Sequence, residues 1–459
     1  MKELTLKQAA EDCRGTLTPE QAEGMITGVQ IDSRRVKPGD LFVAIKGEKS
    51  DGHDFIGMAA SLGASAALVQ RPVKAAIPTI LVPDTIKAYG DLAAARRERM
   101  GMTVIGITGS VGKTTTKEMT ACMLERTYRT ARTEGNHNNN IGLPMTILDM
   151  PDDTETAVLE LGMNHFGEMA RLTSIAKPDI AVITNIGTMH IEHLGSMQGI
   201  LQAKLEILEG MQENGRIILN GDDQLLWNRH KLYPVHTRYF GIQNPECDVL
   251  GSDISQQDGI LSFQVHSGSL TFPAELALEG EHYVPDALAA ISVGLEMGVD
   301  AAKIQERLSR FRNMAGRQEI LEIRGCTVIK DCYNAGPESM AAALNVLGHK
   351  PGRHIAVLGD MLELGVCTQA EHYRIGRIAA EKADVLMAYG PNAPRVIGGA
   401  ITGGMNDRCA KAYDDQKKLA EALSRIARPG DVILVKGSRG MHMERVLDLF
   451  GKEDTKAEV

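Results

Sequence analysis

The stretch that most constrains this chain is Thr103-Val-Ile-Gly-Ile-Thr-Gly-Ser-Val-Gly-Lys-Thr-Thr-Thr-Lys-Glu-Met119, where a short apolar run meets glycines, a lysine and three hydroxyls. Residues 103 to 107 have the apolar, partly β-branched composition of a buried strand, and Lys113 to Arg126 contains neither Gly nor Pro and can be helical. Between them Gly109, Ser110, Val111 and Gly112 form a strand-to-helix turn. Glycine lets backbone approach an anion closely. The N–H groups at the helix start, through Lys113, Thr114 and Thr115, point at phosphate oxygens, while the Lys113 ammonium neutralises the terminal phosphates. The Thr114 hydroxyl would hold Mg²⁺. The position five before Gly112 is Ile107, so the turn is a shorter form of the usual phosphate loop, Thr-Gly-x-x-Gly-Lys-Thr-Thr.

With 459 residues the chain has room for about three domains of ~150 residues. Apolar content of 43% and charged content of 24% are ordinary for a soluble α/β protein, which sets aside disordered and fibrous classes. No run approaches the ~18 apolar residues of a membrane helix, and Met-Lys-Glu-Leu-Thr-Leu-Lys is not a signal-peptide core, so a cytoplasmic protein without membrane insertion is expected. Seven cysteines scattered without a C-x-x-C pair suit reduced thiols. A net charge of −9 disfavours nucleic acid as a partner but leaves small anionic ligands open.

The first segment, to about Arg99, reads as a small mixed domain with short apolar runs divided by Pro-Gly and Asp-Gly turns. Within it Ser33, Arg34 and Lys46 can hold a diphosphate, although an Asp-Ser-Arg triplet in a turn is more often surface chemistry. Asp91 to Arg99 reads as an amphipathic helix whose charge run is a solvated face. The middle segment alternates strand-like pieces at 103–107, 156–161, 179–184 and 216–219 with helix-like pieces at 113–126, 168–176 and 198–210. That alternation implies a mainly parallel sheet with ligands at the carboxyl ends of its strands. Glu160, Asn185 and His190 stand at or just beyond those ends; Glu160 and His190 suit a metal beside phosphates, or else a solvated strand end and a bonded loop residue. Gly135 to Pro144 is a loop rich in amides. Strand-like runs fill 236–275, and Gly280 to Ala290 enters a helix at Pro285, where His282 and Asp286 can touch a base or merely cap the helix.

From about 314 the alternation resumes, with strands at 327–331, 353–358, 384–389 and 431–435 and helices near 337–348, 370–381 and 415–427. A second, Rossmann-like doubly wound sheet is expected, but without G-x-G-x-x-G a nicotinamide cofactor is not. Polar clusters follow its strands: Asp331-Cys-Tyr-Asn-Ala335, Gly359-Asp-Met-Leu-Glu-Leu-Gly365 and Lys436-Gly-Ser-Arg-Gly440. Gly451 to Val459 reads as a loose tail.

Taken in this order the motifs resemble the Mur ligase family, the ATP-dependent amide ligases of bacterial cell-wall precursor synthesis, over nearly the whole chain. The resemblance implies three domains: residues 1–99 binding a UDP-sugar substrate, 100–313 binding ATP, and 314–459 closing over the nucleotide. It makes Ser33, Arg34, Lys46, Gly47, Asp51 and His53 the UDP-sugar block. Lys113 and Thr114 become the ATP phosphate grip, Glu160 and His190 metal ligands, and Lys204 a lysine that CO₂ carbamylates into a further Mg²⁺ ligand. Asn139 and Asn140 fall in a loop near the phosphates, His282 and Asp286 in the adenine block, and Arg317, Asp331 and Asn334 in the part that closes over the nucleotide. Asp360, Lys436 and Ser438 fall in the third domain's substrate blocks. Asp286 and Gly336 depart from the family, which usually has Asn at both positions.

Within the family the 331–340, 359–365 and 436–441 blocks look like those of members joining D-alanyl-D-alanine to a UDP-N-acetylmuramoyl-tripeptide. The Asp-Asn-Pro-Arg motif of the diaminopimelate-adding members is missing. The implied cofactors are ATP and Mg²⁺, the catalytic groups Lys113, Lys204, Arg317 and His190, and the chain is expected to act as a monomer. Two alternatives stay open: a related ligase adding another amino acid or adding glutamate to folate, and an ATPase switch that ligates nothing.

Overall fold

Three large sheets succeed one another along the chain, beside a two-stranded antiparallel pair of Leu4–Thr5 with Met25–Ile26, in the computed structural model, which describes residues 2–19, 22–229, 232–233 and 235–452. The first has five strands. Gly28–Gln30, Asp40–Val43, Ala66–Val69 and Thr79–Leu81 run parallel, and Thr16–Thr18 pairs antiparallel on the edge. Its two central strands are buried along their whole length, as a sheet covered on both faces requires.

The helix Thr85–Met100 leaves this sheet, started by Asp84, whose carboxylate accepts from the N–H groups of Ile86 and Lys87, and ended by Gly101 in the left-handed region at φ 62°. It packs against the helices Gly142–Asp149 and Glu168–Ala176 of the next unit. Here the solvated-face expectation fails, because Arg96 and Arg97 are 4% and 6% exposed. Arg96 donates to the carbonyls of Ile147 and Met150 and pairs with Asp152 at 2.9 Å; Arg97 donates to the Lys177 carbonyl at 2.7 Å. The two guanidiniums use their forks of donors to satisfy helix-end carbonyls that the docking would otherwise strand. One apolar cluster runs through both units, from Leu41 and Leu68 to Val104, Ile147 and Leu172.

The second sheet has nine strands. Thr130–Arg132, Thr156–Glu160, Thr103–Thr108, Ile180–Ile183, Arg216–Asn220, His236–Gly241 and Val249–Gln257 are parallel neighbours in that order, and Ile260–Ser267 and Leu270–Leu276 continue antiparallel. The expected mainly parallel sheet is present. Chain order reverses around Thr103–Thr108, because the strand before Glu160 lies on one side of it and Ile180–Ile183 on the other. A ligand crevice belongs at such a switch point.

The third sheet orders Glu319–Ile323, Cys326–Asp331, Val432–Lys436, His354–Gly359, Val385–Tyr389 and Ala410–Tyr413, all parallel except the first. Its three inner strands end in the three polar clusters singled out above. Gly451 and Lys452 belong to the helix Glu444–Lys452, whose apolar residues Val446, Leu447 and Phe450 are buried; the rest of the expected tail lies outside the described residues. The apolar clusters of this unit are its own, and among the described residues from 314 on only Cys367 packs against the other units' clusters.

Arg96→Met should strand two helix-end carbonyls and cost about 2–4 kcal/mol. Arg99→Met removes only a half-exposed pair with Asp12 and should cost less than about 1 kcal/mol. Urea titration followed by circular dichroism reads both.

Candidate active site

The turn after Thr103–Thr108 has glycines where no other residue fits. A Cβ on Gly109, at φ 153°, would stand 1.9 Å from the Thr184 hydroxyl, and one on Gly112, at φ 82°, would stand 2.1 Å from Asp286 Oδ1. The loop is held from the neighbouring strand end: Ser110 N–H donates to the Asn185 carbonyl, Val111 N–H to Asn185 Oδ1, and Asn185 Nδ2 back to the Val111 carbonyl. Ser110 Oγ accepts from Gly187 N–H at 2.8 Å. With Gly112 as cap, the helix Lys113–Leu124 opens with no side chain on its first N–H groups, leaving them to an anion.

Lys113 folds back on this loop, donating to the carbonyls of Gly109 at 2.8 Å and Ser110 at 3.2 Å. Its stem is half-exposed, but its ammonium is enclosed, and that burial lowers its pKa against the opposing pull of Glu160. Lys204, at 2% exposure, has no hydrogen-bond or ion-pair partner among the described residues; burial and the Lys113 charge push its pKa well down. Both effects disfavour the charged ammonium.

Glu160 closes the strand on one side of the loop, in register with Ile107. One carboxylate oxygen accepts from Asn138 Nδ2 at 2.8 Å, while Oε2 is buried without a partner among the described residues. An orphaned carboxylate oxygen beside a phosphate cradle fits a hard cation. His190 lies beyond the other strand, with Nδ1 2.6 Å from Glu363. No group of three His, Cys, Asp or Glu side chains among the described residues converges to hold a metal. Asn139 Oδ1 accepts from the N–H groups of Ile141 and Gly142, starting the helix Gly142–Asp149, and Asn140 Oδ1 is buried without a partner among the described residues.

The base side is built on the helix Tyr283–Glu296. His282, its cap, uses no side-chain bond to cap it; the ring tilts on Tyr283 with centroids 4.2 Å apart and meets Gln318 Nε2 at 3.1 Å. Burial lowers its pKa to about 4, so Nε2 is an acceptor for that amide and the proton sits on Nδ1. Asp286 is buried behind Gly112, and burial raises its pKa to about 8 against the opposing Arg317 charge. At neutral pH it carries its proton, which gives the carboxyl the neutral donor-and-acceptor character of the family's usual asparagine.

The third unit reaches into this crevice. Arg317 Nη2 donates to Thr114 Oγ1 at 2.8 Å, with the guanidinium 4.2 Å over the Tyr333 ring. Asp331 pairs with Lys436 at 2.6 Å in a buried contact, and Lys436 also donates to the Asn334 carbonyl. Asn334 Oδ1 accepts from Ala335 N–H, Ser438 Oγ donates to the Ala335 carbonyl, and Leu362 N–H donates to Ser438 Oγ. Asp360, 2% exposed, spends its carboxylate on Asn392. These residues lace the ends of three adjacent strands together.

In the first unit Asp51 accepts from the backbone and ring of His53, whose Nε2 accepts from Gln70 N–H, so the ring is neutral with its proton on Nδ1. Those bonds hold the Asp51 carboxyl down at about 2. Gly47 N–H bonds to the Ser50 carbonyl, and Lys46 is exposed. Ser33 is buried beside Met58, and Arg34 is exposed and paired with Asp32. Three residues at the crevice were not singled out by sequence reasoning: Asn138, which holds Glu160; Glu338, whose carboxylate accepts from Thr188 N–H at 3.1 Å; and Glu363. All three sit inside blocks the sequence marked, but nothing in spacing shows where they reach.

Gly112→Ala forces both a strained φ and a contact with Asp286, and should weaken ADP binding about 10–100-fold by calorimetry. Asp286 has a folded pKa above its ordinary 3.8, so the stability its proton confers is whole below that value and is lost as pH rises toward 8. Asp286→Asn should unfold at higher urea than the natural chain at pH 8, by about 2–5 kcal/mol, with the difference vanishing near pH 4.

Three family descriptions match successive parts of the chain. The "Mur ligase family, catalytic domain" description matches residues 25–97, the "Mur ligase middle domain" 107–294, and the "Mur ligase, glutamate ligase domain" 316–439. The chain is 39% identical to the UDP-N-acetylmuramoyl-tripeptide--D-alanyl-D-alanine ligase of Bacillus subtilis, over 97% of this chain and 98% of that one. Crystal structure I of MurF from Acinetobacter baumannii superposes with a TM-score of 0.92 at 34% identity, covering 98% of this chain and 100% of that one. MurF ligase from Thermotoga maritima in complex with ADP gives 0.84 at 31%, covering 94% and 98%. The chain belongs to the Mur ligase family.

Proposed function

We propose that this chain is an ATP-dependent ligase that joins D-alanyl-D-alanine to the terminal carboxylate of UDP-N-acetylmuramoyl-tripeptide in peptidoglycan precursor synthesis. The observation that carries the reading is the contact of Arg317 with Thr114, which brings a third, substrate-facing unit onto a phosphate loop; full-length similarity to ligases of that name supports it. A carboxylate is a poor electrophile, since its leaving group would be oxide. Transfer of the γ-phosphoryl group from ATP to a carboxylate oxygen gives an acyl phosphate and ADP. The free amine then adds to the acyl carbon, and collapse of the tetrahedral intermediate expels phosphate and, with loss of the ammonium proton, leaves the amide.

In this reading Gly109 to Thr115 and Arg317 hold the phosphates and stabilise charge accumulating on the transferring group, with Lys113 as the principal cation. Asn139, His282, Asp286, Asp331 and Asn334 shape the rest of the nucleotide site. Thr114, Glu160, His190 and a carbamylated Lys204 would hold Mg²⁺, which neutralises phosphate charge. The burial that lowers the Lys204 pKa suits carbamylation, because only the free base adds to CO₂, releasing a proton. Residues 1–99 receive the UDP-sugar through Ser33, Arg34, Lys46 and Gly47, with Asp51 and His53 shaping the turn. Asn140, Asp360, Lys436 and Ser438 position the reacting ends, and each chain acts as a monomer in the cytoplasm.

Incubation with ATP, Mg²⁺, UDP-N-acetylmuramoyl-tripeptide and D-alanyl-D-alanine should yield the UDP-linked pentapeptide by mass spectrometry, with Lys113→Ala slower by on the order of 10²–10³-fold or more. Phosphate release that needs no amine acceptor, and no new amide, would instead identify an ATPase switch.

A further inference from the structure

His190 and Glu363 face each other across the joint between the second and third units, and both are in the left-handed region, at φ 64° and 62°. For residues other than glycine that conformation costs about 1–2 kcal/mol, and it persists where surrounding structure holds it in place. The loop carrying His190 is held on both sides. From the phosphate loop, Ser110 Oγ bonds to Gly187; from the third unit, Glu338 accepts from both the N–H and the hydroxyl of Thr188. The two backbones touch, since a Cβ on Gly365 would meet Glu192 Cα at 3.0 Å. Within this frame Glu363 Oε2 lies 2.6 Å from His190 Nδ1, and the bond keeps the glutamate carboxyl below its ordinary range.

We infer that Glu363 is a positioning residue for His190, delivered from the third unit, so that the imidazole is aimed for ion binding only when that unit has closed on the phosphate loop. The inference rests on the reading of His190 as an ion ligand. With the Nδ1 proton committed to Glu363, Nε2 keeps its lone pair, and a carboxylate behind a ligating histidine fixes both tautomer and ring orientation. In an open arrangement the same histidine has neither its acceptor nor the wall that holds its backbone. Reciprocity then makes a bound divalent ion favour closure by the same free energy with which closure favours the ion.

The probe is Mn²⁺, followed by the electron paramagnetic resonance of the free ion, with the full chain and saturating ADP. Glu363→Ala should weaken Mn²⁺ binding about 10-fold or more, and Glu363→Gln, which keeps an acceptor, should lose less. In a His190→Ala background, Glu363→Ala should add nothing. Lys350→Ala removes a different, partly exposed ion pair between the units, 2.6 Å to Glu279, and should lower Mn²⁺ affinity by much less than Glu363→Ala does. Unchanged affinity in Glu363→Ala, an equal loss without His190, or an equal loss in Lys350→Ala would each overturn the inference. Glu160→Ala keeps the two levels apart: loss there with none in Glu363→Ala defeats the positioning role alone, whereas indifference to both Glu160→Ala and His190→Ala defeats the ion-site reading beneath it.

Discussion

Two lysines enclosed at the carboxyl ends of the central strands set the constraint on which the rest of this structure depends. Among the described residues the Lys113 ammonium has only loop carbonyls for partners and the Lys204 side chain has none. Burying a lysine disfavours its charged form unless anions arrive to meet it. The surrounding elements supply half of that arrangement: helix N–H groups left uncapped, a Glu160 oxygen without a donor, and glycines that clear the approach. Phosphate oxygens and a divalent ion complete the balance in the proposed reaction, so the site is preorganised for charge that only substrate brings.

The two joints between units have opposite chemistry, and the difference follows from their tasks. Between the first and second units an apolar cluster is continuous and two buried arginines finish the helix ends, which makes one body of them. The third unit keeps separate cores and meets the others through polar contacts: Arg317 with Thr114, Glu338 with Thr188, Glu363 with His190, and Lys350 with Glu279. Each of those can exchange partners with water at modest cost, as a joint that opens to admit substrates requires. Such a joint also excludes water when closed, protecting an acyl phosphate from hydrolysis.

Much of this was legible in the chain. Apolar runs ending in glycine or amides marked the strands, because a doubly covered sheet demands them, and the turn from Gly109 to Thr115 stood out by its glycines, lysine and hydroxyls directly after a buried strand. Arg96 and Arg97 were misread as a solvated face, since charge patterning cannot show that the carbonyls of Ile147, Met150 and Lys177 are waiting for them. Asp286 departs from the family's usual asparagine, yet burial raises its pKa to about 8 and so favours a neutral carboxyl with much of that amide's character. Glu338 and Glu363 were hidden for a different reason: their partners lie 150 and 173 residues away in sequence, and periodicity carries no information at that range.

Positional isotope exchange tests the account's central claim most directly. ATP carrying ¹⁸O in the β,γ bridge is incubated with the enzyme, Mg²⁺ and UDP-N-acetylmuramoyl-tripeptide, with D-alanyl-D-alanine left out. Reversible phosphoryl transfer to the carboxylate frees the β-phosphate to rotate, so the label should scramble into non-bridging positions only when the tripeptide is present. Full retention of the bridging label in reactions that nevertheless form the amide when D-alanyl-D-alanine is added would contradict a reversible acyl-phosphate step and the closure built around it.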